Sequence, residues 1–197
     1  MNHSSRFRSP LALLGCCCLL LLGSACASTT SQQQEVQKVM EKEASHQELF
    51  RKAEATAAIG DLTRAEQYYV ASLNSGGPAK EITRRLLVVC VADERFPAAL
   101  EHATQYLRHH PRDVDVKFAA ASIHAALGDL MSARFLLQDV VRDRPAWADA
   151  HYALATVLRS QGDAVELAAV HDLEYLRLDP KGPLSEQVRE RLRSATP

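Results

Sequence analysis

The chain has 197 residues and a formal net charge of −1 at pH 7. This length allows one sizeable domain, and the near-neutral charge gives no general attraction to nucleic acid or to anionic membranes. Hydrophobic residues make up 47% of the chain and aromatic residues only 6%, while alanine and leucine are abundant. This composition favours close-packed helices over a β-sandwich, so we predict an all-α protein.

The first 25 residues are typical of a signal peptide. Arg6 and Arg8 form a positive segment, the apolar run LALLGCCCLLLL occupies 11–22, and small residues follow. This run is too short to span a bilayer as a helix, which takes about 20 residues. We therefore predict that residues 1–25 are removed and that the cysteines of the run act only as apolar side chains.

Cys26 is the candidate lipidation site. The residues GSAC at 23–26 resemble the lipobox of bacterial lipoproteins, whose cysteine is acylated and becomes the mature N-terminus. Ala27 in the next position implies, by the bacterial sorting rule, an outer-membrane lipoprotein that faces the periplasm. The residues LLGC at 13–16 fit the box better, but they leave too short an apolar segment before them. ACA at 25–27 also fits ordinary signal peptidase, which would release a soluble periplasmic protein.

The mature chain begins with a short polar segment. Residues 26–34 carry no apolar period and are predicted to be a lipidated cysteine followed by a flexible tether. A helical pattern starts at Glu35, so residues 35–45 are predicted to be an N-terminal helical extension.

A 34-residue repeat organises the chain that follows. Gly60-Asp61, Glu94-Arg95, Gly128-Asp129 and Gly162-Asp163 are 34 residues apart, and an alanine follows each at Ala65, Ala99, Ala133 and, after one inserted residue, Ala168. Prolines close several units, as at Pro111 and Pro145. This period resembles the tetratricopeptide repeat, a helix-turn-helix unit that stacks into a solenoid.

The resemblance implies a right-handed helical solenoid of about four units. The units cover residues 46–79, 80–113, 114–147 and 148–182, so that the solenoid spans 46–182, and residues 183–197 form a capping helix and tail. Helix A of each unit is predicted at about 46–59, 80–93, 114–127 and 148–161, and helix B at about 62–75, 96–109, 130–143 and 165–178. Glu94 replaces the glycine that ends helix A, which predicts a differently shaped helix end in unit two. The residues SGGP at 75–78 predict the loosest junction between units.

No motif for chemistry is found. A phosphate-binding glycine loop, H-E-x-x-H, G-x-S-x-G and clustered Cys/His ligands are all missing from the sequence. We therefore predict no enzymatic activity, no cofactor, no metal and no small-molecule substrate. His109 and His110 are helix neighbours that point about 100° apart, which makes them a poor ligand pair. Cys90 is predicted to be a buried small hydrophobe.

The resemblance places a partner-binding groove on the concave side of helix A, at its fifth residue and one and two turns further along. The candidate residues are Phe50, Arg84, Val88, Val91, Phe118, Ser122, Tyr152 and Arg159. Three aromatic side chains and two arginines suit an apolar or amphipathic segment laid along the groove. An aromatic residue at this position can equally pack against its neighbouring helix. The lysines and asparagines of a carboxylate clamp are missing, so we predict none.

These features predict a protein-interaction scaffold, anchored through its N-terminal lipid, that binds a segment of another envelope protein to assemble or recruit an envelope complex. The chain resembles outer-membrane lipoproteins with such repeats, including pilotins that help assemble type IV pilus secretins. One alternative is a structural component of a trans-envelope secretion or motility machine, packed through its convex face. Another is a regulatory adaptor of a peptidoglycan enzyme.

Overall fold

The computed structural model of the chain describes residues 45–162 and 164–194. The predicted signal peptide, the lipidation site at Cys26, the tether and all but the last residue of the extension 35–45 lie outside these residues.

The described residues fold into nine helices, with no strand among them. The first described helix, α1, covers residues 45–58. It is followed by α2 (Leu62–Asn74), α3 (Ala79–Ala92), α4 (Phe96–His109), α5 (Val114–Ala126), α6 (Leu130–Asp143), α7 (Ala148–Gln161), α8 (Val165–Leu178) and α9 (Ser185–Ser194). Consecutive helices from α2 onward pack on each other. The connections are short, so neighbours run antiparallel, and the predicted all-helical solenoid is confirmed.

The Gly-Asp dipeptides link helix A to helix B within a unit. Gly60 and Gly128 have φ of +82° and +79°, which a residue without Cβ adopts at no steric cost. The next N–H, that of Asp61 or Asp129, donates to a carbonyl five residues earlier at 2.9 Å and closes helix A. Each aspartate then caps helix B, because its carboxylate accepts a bond from the N–H of Arg64 or Ser132. One dipeptide thus ends one helix and starts the next.

The end of α3 has the same shape as the others, so the sequence-based expectation for unit two is wrong. Glu94 has φ of +57°, in the left-handed region that the glycines occupy. The N–H of Arg95 donates to the carbonyl of Cys90 at 2.8 Å, which is the bond that also closes α1 and α5. The turn between α3 and α4 is therefore formed at a backbone cost of about 1–2 kcal/mol.

The junction after α2 is closely packed, contrary to the expectation of the loosest link. A Cβ on Gly77 would lie 2.6 Å from Cδ1 of Ile82 and 2.9 Å from the carbonyl oxygen of Ser72. The N–H of Gly77 donates to that carbonyl at 3.0 Å. The glycine is needed because the backbone approaches its neighbours closely here.

Small residues let the two helices of a unit cross closely. Alanines at equivalent positions of the repeat units are fully buried: Ala53, Ala65, Ala99, Ala121, Ala133, Ala155 and Ala168. Unit two has Leu87 at its crossing point on helix A, and this side chain is buried too. The separation of packed helices depends on the side chains at the contact, so these alanines set the close pairing of A with B.

The A helices lie on the inner side of the solenoid. Helix α3 contacts α5, and α5 contacts α7, whereas no comparable contact joins one B helix to the next among α2–α9. Because the A helices approach each other more closely, the stack curves toward them. Helix α9 packs on α8 and buries Val188, as expected of a cap. None of the described helices is long and apolar enough to cross a membrane.

Candidate functional site

The inner face, formed by α1, α3, α5 and α7, carries the residues predicted to bind a partner. Its most exposed apolar side chains are on α3, where Val88 is 63% and Val91 38% exposed. Arg84 is exposed one turn before Val88. These three residues lie at i, i+4 and i+7 and therefore share one side of the helix. They offer two branched apolar side chains beside a cation.

The three predicted aromatic residues are half-buried and each packs on a second ring. Phe50 meets Tyr69 edge-on at 5.5 Å between ring centroids, and Phe118 meets Trp147 at 4.5 Å. Tyr152 meets Tyr175 at 5.7 Å, and the guanidinium of Arg191 from α9 lies 4.9 Å from the Tyr152 ring centroid. Each ring therefore stabilises the solenoid with one side and leaves only part of its surface to the inner face.

The polar positions of the inner face are exposed. Ser122 and Thr156 stand at the same repeat position as Val88, one and two units further along. Their hydroxyls donate to the carbonyls of Phe118 and Tyr152 in the preceding turn, both at 2.9 Å. With its donor engaged, the Ser122 oxygen can accept a bond from a partner's N–H, whereas the Thr156 oxygen already accepts one from Nη1 of Arg191 at 3.4 Å.

Arg159 is directed into the protein. Its guanidinium forms an ion pair with Asp172 of α8, a carboxylate that is completely buried. Asp172 also lies 3.5 Å from Nη1 of Arg191. This pairing satisfies a charge that would otherwise be costly to bury, so the contacts of Arg159 are structural.

A second candidate surface, not predicted above, lies on the outer side of helices α6 and α8. Four large apolar side chains are exposed there, and we call them the outer strip: Met131 at 70%, Phe135 at 67%, Val170 at 57% and Leu173 at 58%. Phe135 and Val170 occupy equivalent positions in units three and four. Units one and two have the exposed residues Gln67 and Glu101 at that position. Exposed apolar residues gathered on one surface are a sign of an interaction site.

A groove between α4 and α6 adjoins the outer strip. It has a volume of about 640 Å³, and its apolar lining includes Leu107, Leu136, Met131 and Phe135. Arg108 and His124 also line it. The signal in the sequence was the apolar residue at the otherwise polar outer position of units three and four.

A polar cluster joins the first two units. Glu66 of α2, Cys90 of α3 and His102 of α4 have ligand atoms within 4.8 Å of one another. Nε2 of His102 lies 2.7 Å from Oε1 of Glu66, and Arg95 pairs with the other carboxylate oxygen. These residues are far apart in the sequence and form no motif, so sequence analysis did not group them.

The environment of this cluster alters two pKa values. Burial, together with the nearby Glu66 carboxylate, raises the pKa of the Cys90 thiol to about 12. The thiol is therefore protonated at neutral pH and is not an activated nucleophile. Burial alone would raise the pKa of Glu66, but hydrogen bonds from His102 and Arg95 outweigh it and lower the pKa below its usual value.

Residues 91–163 match the sequence profile of the tetratricopeptide repeat family. No curated protein sequence matches the chain significantly. The crystal structure of YrrB, a TPR protein with an unusual peptide-binding site, superposes with a TM-score of 0.63 at 16% identity, over 83% of this chain and 88% of that chain.

Two further solved structures have the same architecture. A tetratricopeptide repeat protein from Parabacteroides merdae superposes with a TM-score of 0.66 at 20% identity, over 77% of this chain and 61% of that chain. The crystal structure of MamA gives a TM-score of 0.62 at 17% identity, over 72% of this chain and 86% of that chain. At such identities the likeness is one of fold. Residues 91–163 thus carry tetratricopeptide repeats, and the described part of the chain has the fold of these repeat proteins.

Proposed function

We propose that the chain is a protein-interaction scaffold and that its outer strip packs against another protein. The exposure of Phe135, Met131, Val170 and Leu173 on one side of units three and four carries this proposal. Burying such side chains is favourable by about 25 cal/mol per Å² of apolar surface removed from water. The adjoining groove between α4 and α6 gives a partner side chain a concave place to anchor.

The inner face is the second candidate surface. YrrB, which has this fold, is described as having a peptide-binding site. Arg84, Val88 and Val91 supply a cation and two exposed apolar side chains, which suit one turn of an amphipathic segment. Of the large apolar side chains predicted to line this face, only Val88 and Val91 are exposed, because the aromatic residues pack on Tyr69, Trp147 and Tyr175.

Crosslinking in living cells distinguishes the two surfaces. A photoreactive amino acid replaces Phe135 in one strain, Val88 in a second and Glu101 in a third. Glu101 is the matched control, since it is exposed and stands at the repeat position of Phe135 one unit earlier. We expect the Phe135 strain to yield a discrete crosslinked protein and the Glu101 strain to yield none.

A crosslinked protein from the Val88 strain alone would mean that the partner binds the inner face. Failure of both the Phe135 and the Val88 strain to crosslink any protein would contradict the scaffold proposal. All three side chains are exposed, so none of these replacements removes a core contact.

We also propose that the scaffold is tethered to the outer membrane through lipid on Cys26 and acts in assembling an envelope complex, as pilotins do for pilus secretins. The supports are the apolar run at 11–22, the lipobox-like residues at 23–26 and Ala27 after them. Two acyl chains give stable membrane attachment, whereas one is marginal. Mass spectrometry of the mature N-terminus tests this, and an unmodified chain starting at Ser28 would contradict it.

A further inference from the structure

We propose that Glu66, Cys90 and His102 form a zinc-binding site that crosslinks the first two repeat units. Their ligand atoms come from three successive helices, α2, α3 and α4, and all lie within 4.8 Å of one another. The site is independent of both partner-binding surfaces, since none of its residues belongs to the outer strip or to the inner face.

The donor atoms suit zinc. Cys90 offers sulfur, His102 offers Nε2 and Glu66 offers Oε1, and Zn²⁺ binds all three donor types in tetrahedral geometry. Binding of Zn²⁺ displaces the proton of the Cys90 thiol to solvent, and the resulting thiolate together with an imidazole favours zinc over magnesium or calcium, which prefer sites made of oxygen donors only. Three protein ligands leave one position of the tetrahedron for a water molecule.

The spacing requires only a small rearrangement. Bonds of 2.0–2.3 Å to zinc place tetrahedral ligand atoms about 3.3–3.6 Å apart. Oε1 of Glu66 and Nε2 of His102 are 2.7 Å apart, as in a hydrogen bond, and must separate by somewhat less than about 1 Å. The two ligand atoms that lie farthest apart are separated by at most 4.8 Å and must approach each other by about 1 Å. Side-chain rotation of Glu66 and His102, which are partly exposed, can supply these shifts.

A neighbouring group orients the carboxylate. Arg95 pairs with Oε2 of Glu66 and leaves Oε1 directed at His102. Such outer contacts to a ligand carboxylate are usual in metal sites and fix which oxygen meets the ion. Cys90 is fully buried at the back of the cluster, so its sulfur is held in place by packing.

The test uses the full chain with Cys16→Ser, Cys17→Ser, Cys18→Ser and Cys26→Ser, so that Cys90 is the sole thiol. This protein is titrated with Co²⁺, which reports thiolate ligation through a charge-transfer band. We expect one equivalent to bind with this band and Zn²⁺ to displace it. Zinc at a hundred times its dissociation constant should raise the melting temperature by about 5–10 °C.

Three variants of this protein locate the ion. Cys90→Ser should abolish the charge-transfer band and the zinc-induced rise in melting temperature, and His102→Gln should weaken cobalt binding at least tenfold. His109 is an exposed histidine seven residues further along α4. His109→Gln should leave both the charge-transfer band and the zinc-induced rise in melting temperature unchanged. Absence of the band in the parent protein would overturn the proposal without reference to any variant. A zinc-induced rise in melting temperature that survives Cys90→Ser would overturn it as well.

Discussion

Glu94 is the single residue with a side chain among the described residues that adopts the left-handed backbone. The three glycines at the equivalent positions show what the fold requires there, namely a φ near +80° and a backbone bond back to helix A. The side chain of Glu94 is exposed, so it is not part of the core. The backbone at Glu94 is therefore strained, and no packing of its side chain compensates this strain.

Glu94→Gly should stabilise the protein by about 1 kcal/mol, since it removes the Cβ clash, partly offset by the greater freedom of glycine in the unfolded chain. The measurement is the midpoint of equilibrium urea unfolding at constant m-value. Gly128→Ala is the converse control. A Cβ at this position meets nothing within 4 Å, so the substitution adds backbone strain without a steric clash. It should destabilise by a similar amount. A Glu94→Gly variant that is less stable than the parent would show that the turn is not strained.

At the scale of the helix pair, a buried ion pair joins α7 to α8, whereas the equivalent positions of the other units carry no charge. Asp172 stands in register with Tyr69, Ala103 and Leu137, all of which are buried. Arg159 stands in register with Ala125 and Val91. The two departures from the pattern occur together because the guanidinium of Arg159 compensates the carboxylate of Asp172.

Arg159→Ala should therefore destabilise the protein by about 2–4 kcal/mol, because Asp172 is left with the single, more distant cation of Arg191. Asp172→Leu should have a cost of similar size, since Arg159 is then unpaired. The double variant recreates the Leu137 and Ala125 pair of unit three and should regain most of the loss. Urea unfolding of the four proteins gives the coupling energy. Additive losses in the double variant would mean that the two residues do not act as a pair.

The same pair shows what could be predicted from the sequence. The 34-residue period predicted the hairpins because glycine, aspartate and alanine at fixed positions dictate local turns and close crossings. The structural role of Arg159 could have been predicted too, since aspartate at a core register position demands a partner. The cluster of Glu66, Cys90 and His102 could not, because no local rule relates residues on three different helices. The exposure of Phe135 also depends on stacking, which leaves the outer side of helix B uncovered.

At the scale of the whole molecule, the solenoid is uneven along its length. Unit two presents Arg84, Val88 and Val91 on its inner face, while units three and four present the outer strip. In a stack of repeats each unit contacts only its neighbours, so surfaces and stability can differ from one end to the other. The last described helix, α9, contributes to one end only, through Val188 on α8 and Arg191 over Tyr152.

A chain that ends at Leu184 should therefore lose stability mainly in its last unit. Removal of α9 uncovers the side of α8 that Val188 covers and deprives Asp172 of Arg191. Hydrogen exchange followed by mass spectrometry should show amides of α7 and α8 exchanging at least tenfold faster, because local openings no longer break contacts with the cap. Amides of α3 and α4 serve as the internal control and should keep their rates. Equal acceleration from α2 to α8 would instead mean that the stack opens as one cooperative unit, with stability shared along its whole length.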